Sequence, residues 1–137
     1  MSDDVRFTER ELDIMSVLWR LGSGTVNEVR RELEGDFGYT TVLKMLQVLE
    51  SKGHVRHERE GRAHRYHPTV GAEEAGRSAL GRVVDKIFQG SPELALTRLV
   101  EDRSLTREEL LRMRALLDEL AGDEETDGPE GGPGKEG

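Results

Sequence analysis

Apolar residues recur through the first third of the chain in three helical registers, separated by short glycine-bearing breaks. Leu12, Met15, Leu18 and Trp19, with Ile14 alongside, mark the buried face of a helix from about Glu9 to Leu21. Thr8-x-x-Glu11 opens it as a capping box, in which each side chain satisfies an orphan backbone amide, and Gly22-Ser23-Gly24 ends it. Thr25-x-x-Glu28 repeats the capping box and opens a second helix, Val26 to about Leu33, which buries Val26, Val29 and Leu33. Gly35-Asp36-Phe37-Gly38 reads as a turn, with Phe37 plugging the core. A third helix, about Thr40 to Lys52, carries Val42, Met45, Leu46 and Leu49 at the i, i+3, i+4, i+7 spacing, with Gly53 as its C′ residue. Its opposite face holds Thr40, Lys44, Gln47 and Ser51. Hydroxyls, an amide and an ammonium are the groups that read base edges and phosphates.

The pattern then changes from a helical to a strand-like period. His54 to Arg59 and Arg62 to His67 flank Glu60-Gly61, which reads as a two-residue hairpin turn, and Pro68 closes the second strand. That turn pairs Val55 with Tyr66, His57 with His64 and Arg56 with Arg65. Two arginines face to face are unfavourable unless an anion lies nearby or the long side chains splay into water. A helix with a polar, basic outer face followed by an arginine-rich hairpin predicts a winged helix-turn-helix that enters the DNA major groove. The second half is helical again. Ala72 to Phe88 carries Leu80, Val83, Val84, Ile87 and Phe88 on one stripe. Ser91-Pro92 starts a further helix, with proline at its favoured first position, that supplies Leu94, Leu96, Leu99 and Val100. Thr106-x-x-Glu109 caps a last helix, through Leu120, with Leu110, Met113, Leu116, Leu117 and Leu120 inward. Three short amphipathic helices with few aromatics make a poor core alone, so a second copy is expected to complete it. The expected layout is mostly α with a small β-hairpin wing: a DNA-binding domain over 7–70, a three-helix dimerisation domain over 71–121, and a disordered acidic Gly/Pro-rich tail over 122–137.

Composition sharpens this layout. The chain has 137 residues and only 34% hydrophobic residues, part of the deficit lying in the tail. The net charge of -8 argues at first against nucleic acid, but its distribution reverses that. Residues 39–70 carry six Lys/Arg against three Asp/Glu together with all four histidines, whereas residues 71–137 carry nine basic against sixteen acidic residues. Affinity for DNA follows the local basic surface and not the sum. The absence of cysteine excludes disulfides, thiolate metal sites and cysteine nucleophiles, and fits a reducing cytoplasm. The acidic N-terminus reads as no signal peptide, and the apolar stretch around Ile14 to Trp19 is too short to span a bilayer, so a cytoplasmic protein away from membranes is expected.

The chemistry-bearing residues point the same way. Thr40, Thr41, Lys44 and Gln47 are the candidate groove-facing residues, with Lys44 suited to guanine and Gln47 to adenine or a phosphate. Tyr39 and Ser51 are placed at the flanking backbone. Arg56, Arg59, Arg62 and Arg65 are candidate phosphate clamps, with His64 among the histidines that can hydrogen-bond phosphates. The spacings His54-x-x-His57 and His64-x-x-His67 invite a metal reading, but residues three apart on a strand point to opposite faces. A cross-strand His57–His64 pair has no carboxylate or thiol in evidence as a third ligand, so no metal is expected. No nucleophile elbow or phosphate-cradling glycine loop is present, and neither an enzyme nor a cofactor is expected.

The chain resembles the BlaI/MecI penicillinase-repressor family of bacterial transcriptional regulators. The resemblance is carried by Thr8-Glu9-x-Glu11-Leu12-x-Ile14-Met15-x-x-Leu18-Trp19, Tyr39-Thr40-Thr41-Val42, Leu46-x-x-Leu49-x-x-Lys52-Gly53 and the wing Arg59-Glu60-Gly61-Arg62-Ala63-x-Arg65-Tyr66-x-Pro68. It implies a homodimeric repressor that binds palindromic operators in double-stranded DNA through the third helix and dimerises through the C-terminal helices. It also implies a candidate regulatory protease, because some members are cleaved between an Asn and a Phe in the middle C-terminal helix. The matching positions here are Thr97 and Arg98, a departure from that pattern. The related copper-responsive branch uses C-terminal cysteines, which this chain lacks. The alternative from another class is a winged-helix module that applies the same face to a protein, without specific DNA binding.

Overall fold

A computed structural model describes residues 5–127, with side chains placed through Gly122. The chain forms α1 (Glu9–Leu21), β1 (Gly24–Thr25), α2 (Val26–Glu32), α3 (Tyr39–Ser51), β2 (Val55–Glu60), β3 (Ala63–Pro68), α4 (Ala72–Lys86), α5 (Pro92–Asp102) and α6 (Arg107–Asp127). The order is that of a winged helix-turn-helix followed by further helices. It falls into two compact units, one ending at Gly90 and the other beginning at Ser91. The helix α4 therefore stays with the winged helix, whereas the sequence groups it with the dimerisation region. Two observations show why: Ala75 is buried in the winged-helix core, and the Val5 amide donates to Ser78 Oγ at 3.3 Å.

Local signals set the helices. Both capping boxes of the first two helices form, with Thr8 and Glu11 reciprocally bonded, then Thr25 and Glu28. The third opens α6, where the Thr106 amide donates to Glu109 and the Glu109 amide to Thr106 Oγ1. The end of α3 is a complete Schellman motif. The Gly53 amide donates to the Glu50 carbonyl and the His54 amide to the Leu49 carbonyl, with Gly53 at φ +84°. This tight stop sends the chain straight into the wing.

The core gathers Ile14, Met15 and Leu18 of α1, Val26 and Val29 of α2, Val42, Leu46 and Leu49 of α3, and Val55 and Tyr66 of the sheet. Phe37 packs against it from the turn, with the Arg10 guanidinium 4.7 Å above its ring. Trp19 donates its indole N–H to the Val70 carbonyl at 2.8 Å and meets Phe7 edge-on. The α1 stripe differs from the expected one: Leu12 is exposed, and Glu11, only 7% exposed, takes its place beneath Ile14, Met15 and Leu18. The i, i+3, i+4, i+7 stripe thus begins on a carboxylate.

The sheet also differs from expectation. It has three antiparallel strands in the order β1-β3-β2, because Gly24 and Thr25 pair with Tyr66 and Arg65. The hairpin turn is Gly61-Arg62 and not Glu60-Gly61, so Val55 faces Pro68, Arg56 faces His67, His57 faces Tyr66 and Glu58 faces Arg65. The physical reason is the left-handed φ of +62° at Gly61. A two-residue hairpin turn of the II′ kind needs that conformation at its first central position, where Glu60 would be strained and glycine is not. Because the ladder slips by two, every side chain keeps its expected face. The Arg56–Arg65 opposition disappears, and with it the reason for placing an anion between them.

In the second unit, α5 keeps its Ser91 cap and Pro92 start, and α6 continues to Asp127. Residues 122–127 are therefore helical, where a disordered tail was expected from Gly122. Extending a formed helix adds a bond for each residue fixed, and glutamate tolerates it well. The remainder of the expected tail, 128–137, lies outside the described residues.

Candidate nucleic-acid interface

The α3 face predicted to read bases is solvent-facing. Val42, Leu46 and Leu49 anchor the helix beneath, while Thr40, Thr41, Lys44, Gln47 and Ser51 are exposed on the other side, with Tyr39 at its start. Ser51 turns its hydroxyl back onto the Val48 carbonyl, which leaves the oxygen as an acceptor only. Val48 is also exposed beside Lys44 and Gln47, an apolar contact surface of the kind that thymine methyl groups fill. No acidic side chain stands in the first turn of α3, and its N-cap is Gly38, which puts no side chain over the first amides.

The wing divides its charges by face. Val55, His57 and Arg59 of β2 alternate onto the side shared with His64 and Tyr66 of β3. His57 meets Glu50 at the end of α3 through Nδ1 at 2.7 Å and stacks on His64 at 4.4 Å. The two imidazoles are diagonal neighbours, not the directly opposed pair expected. Arg59 shares this α3-facing side, and Arg62 sits at the tip. Neither they, nor Arg56, nor Lys44 forms an ion pair or side-chain hydrogen bond among the described residues. On the other face His67 is bonded to Glu58 at 2.9 Å. Among the described residues no group of three or more His, Asp or Glu side chains is arranged to hold a metal ion.

Arg65, expected among the phosphate clamps, is engaged within the chain. Its guanidinium, 21% exposed, forks onto Glu60 and Glu28 and also reaches Ser23. Arg65 is the first cause holding the Glu28 carboxyl below its ordinary value, and likewise for Glu60, and the two carboxylates hold the guanidinium proton more tightly in return. The periodicity gave no sign of this, since Glu28 is read as a cap and Glu60 as a turn residue.

A second ion pair went unseen in the sequence. Glu11 accepts from Lys52 Nζ at 2.6 Å and from the Thr8 amide at 2.8 Å, tying the start of α1 to the end of α3. Burial pushes the Glu11 carboxyl up, but the Lys52 ammonium and the Thr8 amide outweigh it and hold it below its ordinary value. The heptad-like phase of Glu11 with Ile14 and Leu18 was the available signal.

The order of elements, the outward polar face of α3 and the arginine-tipped wing find their counterpart in one family, penicillinase repressor, whose pattern matches residues 7–119. The chain belongs to the penicillinase repressor family. Relatives agree with this. The chain is 36% identical over 129 residues to the transcriptional regulator BlaI of Mycobacterium tuberculosis, covering 89% of this chain and 91% of that one. It is 26% identical over 116 residues to the penicillinase repressor of Bacillus licheniformis, covering 83% and 91%. Among solved structures, a MarR mutant from E. coli complexed with operator DNA shares the fold at 19% identity and a TM-score of 0.50, over 83% of this chain and 75% of that one. These names belong to transcriptional regulators and repressors, not enzymes. In this penicillinase repressor family member, the matched span includes all of α3, the wing and the helices as far as Glu119. No helix among the described residues is long and apolar enough to cross a membrane.

Proposed function

We propose that the chain is a sequence-specific DNA-binding transcriptional repressor that occupies a palindromic operator as a homodimer and blocks polymerase sterically. The observation that carries this is the pairing of an exposed polar α3 face with wing arginines that have no acidic partner of their own. Thr40, Thr41, Lys44 and Gln47 read the major groove, and Tyr39, Ser51, Arg56, Arg59, Arg62 and His64 hold the flanking backbone. Two such helices in a dimer address half-sites separated by whole turns of the duplex, ~34 Å each.

Dimerisation is supported by apolar side chains that the single chain leaves open. In the first unit Leu80 is 62% and Ile87 64% exposed, with Val83 beside them and Val84 and Phe88 half-buried. In the second unit Leu99, Leu110, Leu116, Leu117 and Leu120 are exposed, while Leu96, Val100 and Met113 are half-buried. A second copy that covers these surfaces supplies the core that a short helical region lacks. Relief by a regulatory protease is part of the same reading. Thr97 and Arg98 lie mid-way along α5, with Thr97 Oγ1 bonded to the Glu93 carbonyl and Arg98 paired to Glu101. A protease needs an opened backbone, so cleavage there requires α5 to unwind first.

The test is fluorescence anisotropy with labelled duplexes from the chain's own promoter region, at several salt concentrations. Tighter binding to one palindrome than to random duplex is expected. Equal affinity for both sinks sequence-specific repression, and the absence of salt-dependent binding favours the protein-interaction module instead.

A further inference from the structure

Within the repressor function proposed above, on which this assignment rests, we infer that Arg65 is a positioning residue for DNA binding. It sets the attitude of the wing and does not itself contact the duplex. A guanidinium has five N–H donors. All five are directed at acceptors within the chain. Nε donates to Glu60 Oε1 at 2.6 Å, and Nη2 to Glu60 Oε2 at 3.0 Å and Glu28 Oε2 at 3.2 Å. Nη1 donates to Glu28 Oε1 and to Ser23 Oγ, each at 3.1 Å. A phosphate could be gripped only by breaking one of these forks, and it would have to approach past two carboxylates.

The partners span the motif. Glu60 is the last residue of β2 before the Gly61-Arg62 tip, Ser23 follows α1, and Glu28 is the residue whose carboxylate also accepts from the Thr25 amide at the start of α2. One planar group therefore braces the wing against the helix that precedes the recognition helix. The wing strands are otherwise held at their base, by Val55 and Tyr66 in the core, by His57 on Glu50 and by the two residue pairs with β1. Two of the arginines left free for the duplex, Arg59 and Arg62, sit next to the braced segment. Their reach depends on where Arg65 holds it.

Three comparisons on the full-length chain separate a brace from a contact. Each uses anisotropy with the palindromic duplex that the wild type prefers, with melting by circular dichroism as a check that each variant is folded at the assay temperature. First, Arg65→Lys keeps a point charge but cannot fork two carboxylates. A brace predicts that it binds as weakly as Arg65→Ala, about fivefold or more below wild type, within the coupling range of contacting residues. Near-wild-type binding by Arg65→Lys overturns the assignment. Second, Glu60→Gln removes an acid from beside the proposed interface. Electrostatics alone would strengthen DNA binding, whereas loss of the brace weakens it, so a gain in affinity overturns the assignment. Third, the double change Arg59→Ala with Arg62→Ala should cost less in the Arg65→Ala background than in the wild type. A direct phosphate contact would instead add independently and lower the salt slope by about 0.9 on its own. If the wild type binds no duplex in a salt-dependent way, the repressor reading itself fails and takes Arg65's role with it. Binding by the wild type with additive variants removes only the brace.

Discussion

Replacing Glu11 with alanine tests whether a buried carboxylate on α1 holds α3 in place. The carboxylate makes two bonds in a site that is 7% exposed. Losing the bond from the Thr8 amide leaves a part-buried donor unsatisfied, which costs about 1–3 kcal/mol. The Lys52 bond is short, but the Lys52 side chain is 44% exposed, so its share is discounted to about 0.2–1 kcal/mol. The expected loss is about 2 kcal/mol, which for a unit of this size lowers the melting temperature by about 8–16 °C. Glutamine keeps an oxygen for the Thr8 amide and removes only the charge, so Glu11→Gln should lose about half as much. Thermal and urea melts of the full chain at neutral pH measure both. An alanine variant within about 0.5 kcal/mol of wild type, the ordinary scatter of surface changes, would refute the role of the carboxylate. A glutamine variant as damaged as the alanine one would refute the division between the Thr8 bond and the Lys52 charge. A pH series adds an independent check. The Glu11 carboxyl is held below its ordinary value of 4.5, so the unfolded chain takes up its proton first as the solution is acidified. Its contribution is complete above about pH 4.5 and is lost as pH falls through the lowered folded value. The gap between wild type and Glu11→Gln should therefore close under acid; a gap that widens there would show the pair to be a burden and not a brace.

Lys44→Ala should weaken operator binding by about 1–3 kcal/mol and relax preference at one base pair, read by anisotropy across a panel of single-base operator changes; a uniform loss across the panel would make Lys44 a backbone contact. Leu117→Glu puts a charge on an apolar α6 position that is 49% exposed in the single chain. If a second copy covers it, sedimentation should show dimer dissociation strengthened by about 100-fold or more, the burial of one leucine being worth ~1.5–3 kcal/mol before the charge is counted. An unchanged dimer would move the interface elsewhere. Gly61→Val should cost about 1–2 kcal/mol through backbone strain alone, since φ is +62° and nothing lies within 4 Å of an added Cβ. Faster amide exchange confined to β2 and β3 is the expected signature, and unchanged exchange would remove the turn assignment's energetic basis.

What the sequence made legible is what neighbouring residues decide among themselves. Three capping boxes and the stripes of α2 and α3 are set within a turn or two of helix and appear where the spacing put them, whereas the α1 stripe exchanges Leu12 for Glu11. The outward face of α3 follows from the same period, which is why Thr40, Lys44 and Gln47 emerge exposed. The hairpin register is decided by a single dihedral. Either two-residue choice, Glu60-Gly61 or Gly61-Arg62, contains the glycine, and only the requirement that it stand first separates them. The same slip turned an arginine pair into Glu58 opposite Arg65 and removed an argument for a bound anion that the unslipped register supported. The ion partners of Arg65 and Glu11 stayed out of sight for a related reason. A charged residue read by its helix or strand position carries no mark of its partner, and Glu28 and Lys52 stand 37 and 41 residues from the groups they pair with. Reading charge by segment credits every arginine of the wing to the duplex. Pairing by geometry divides them into those spent on the fold and those left over, and only the second group, Arg56, Arg59 and Arg62, has its charge free to bring to a phosphate.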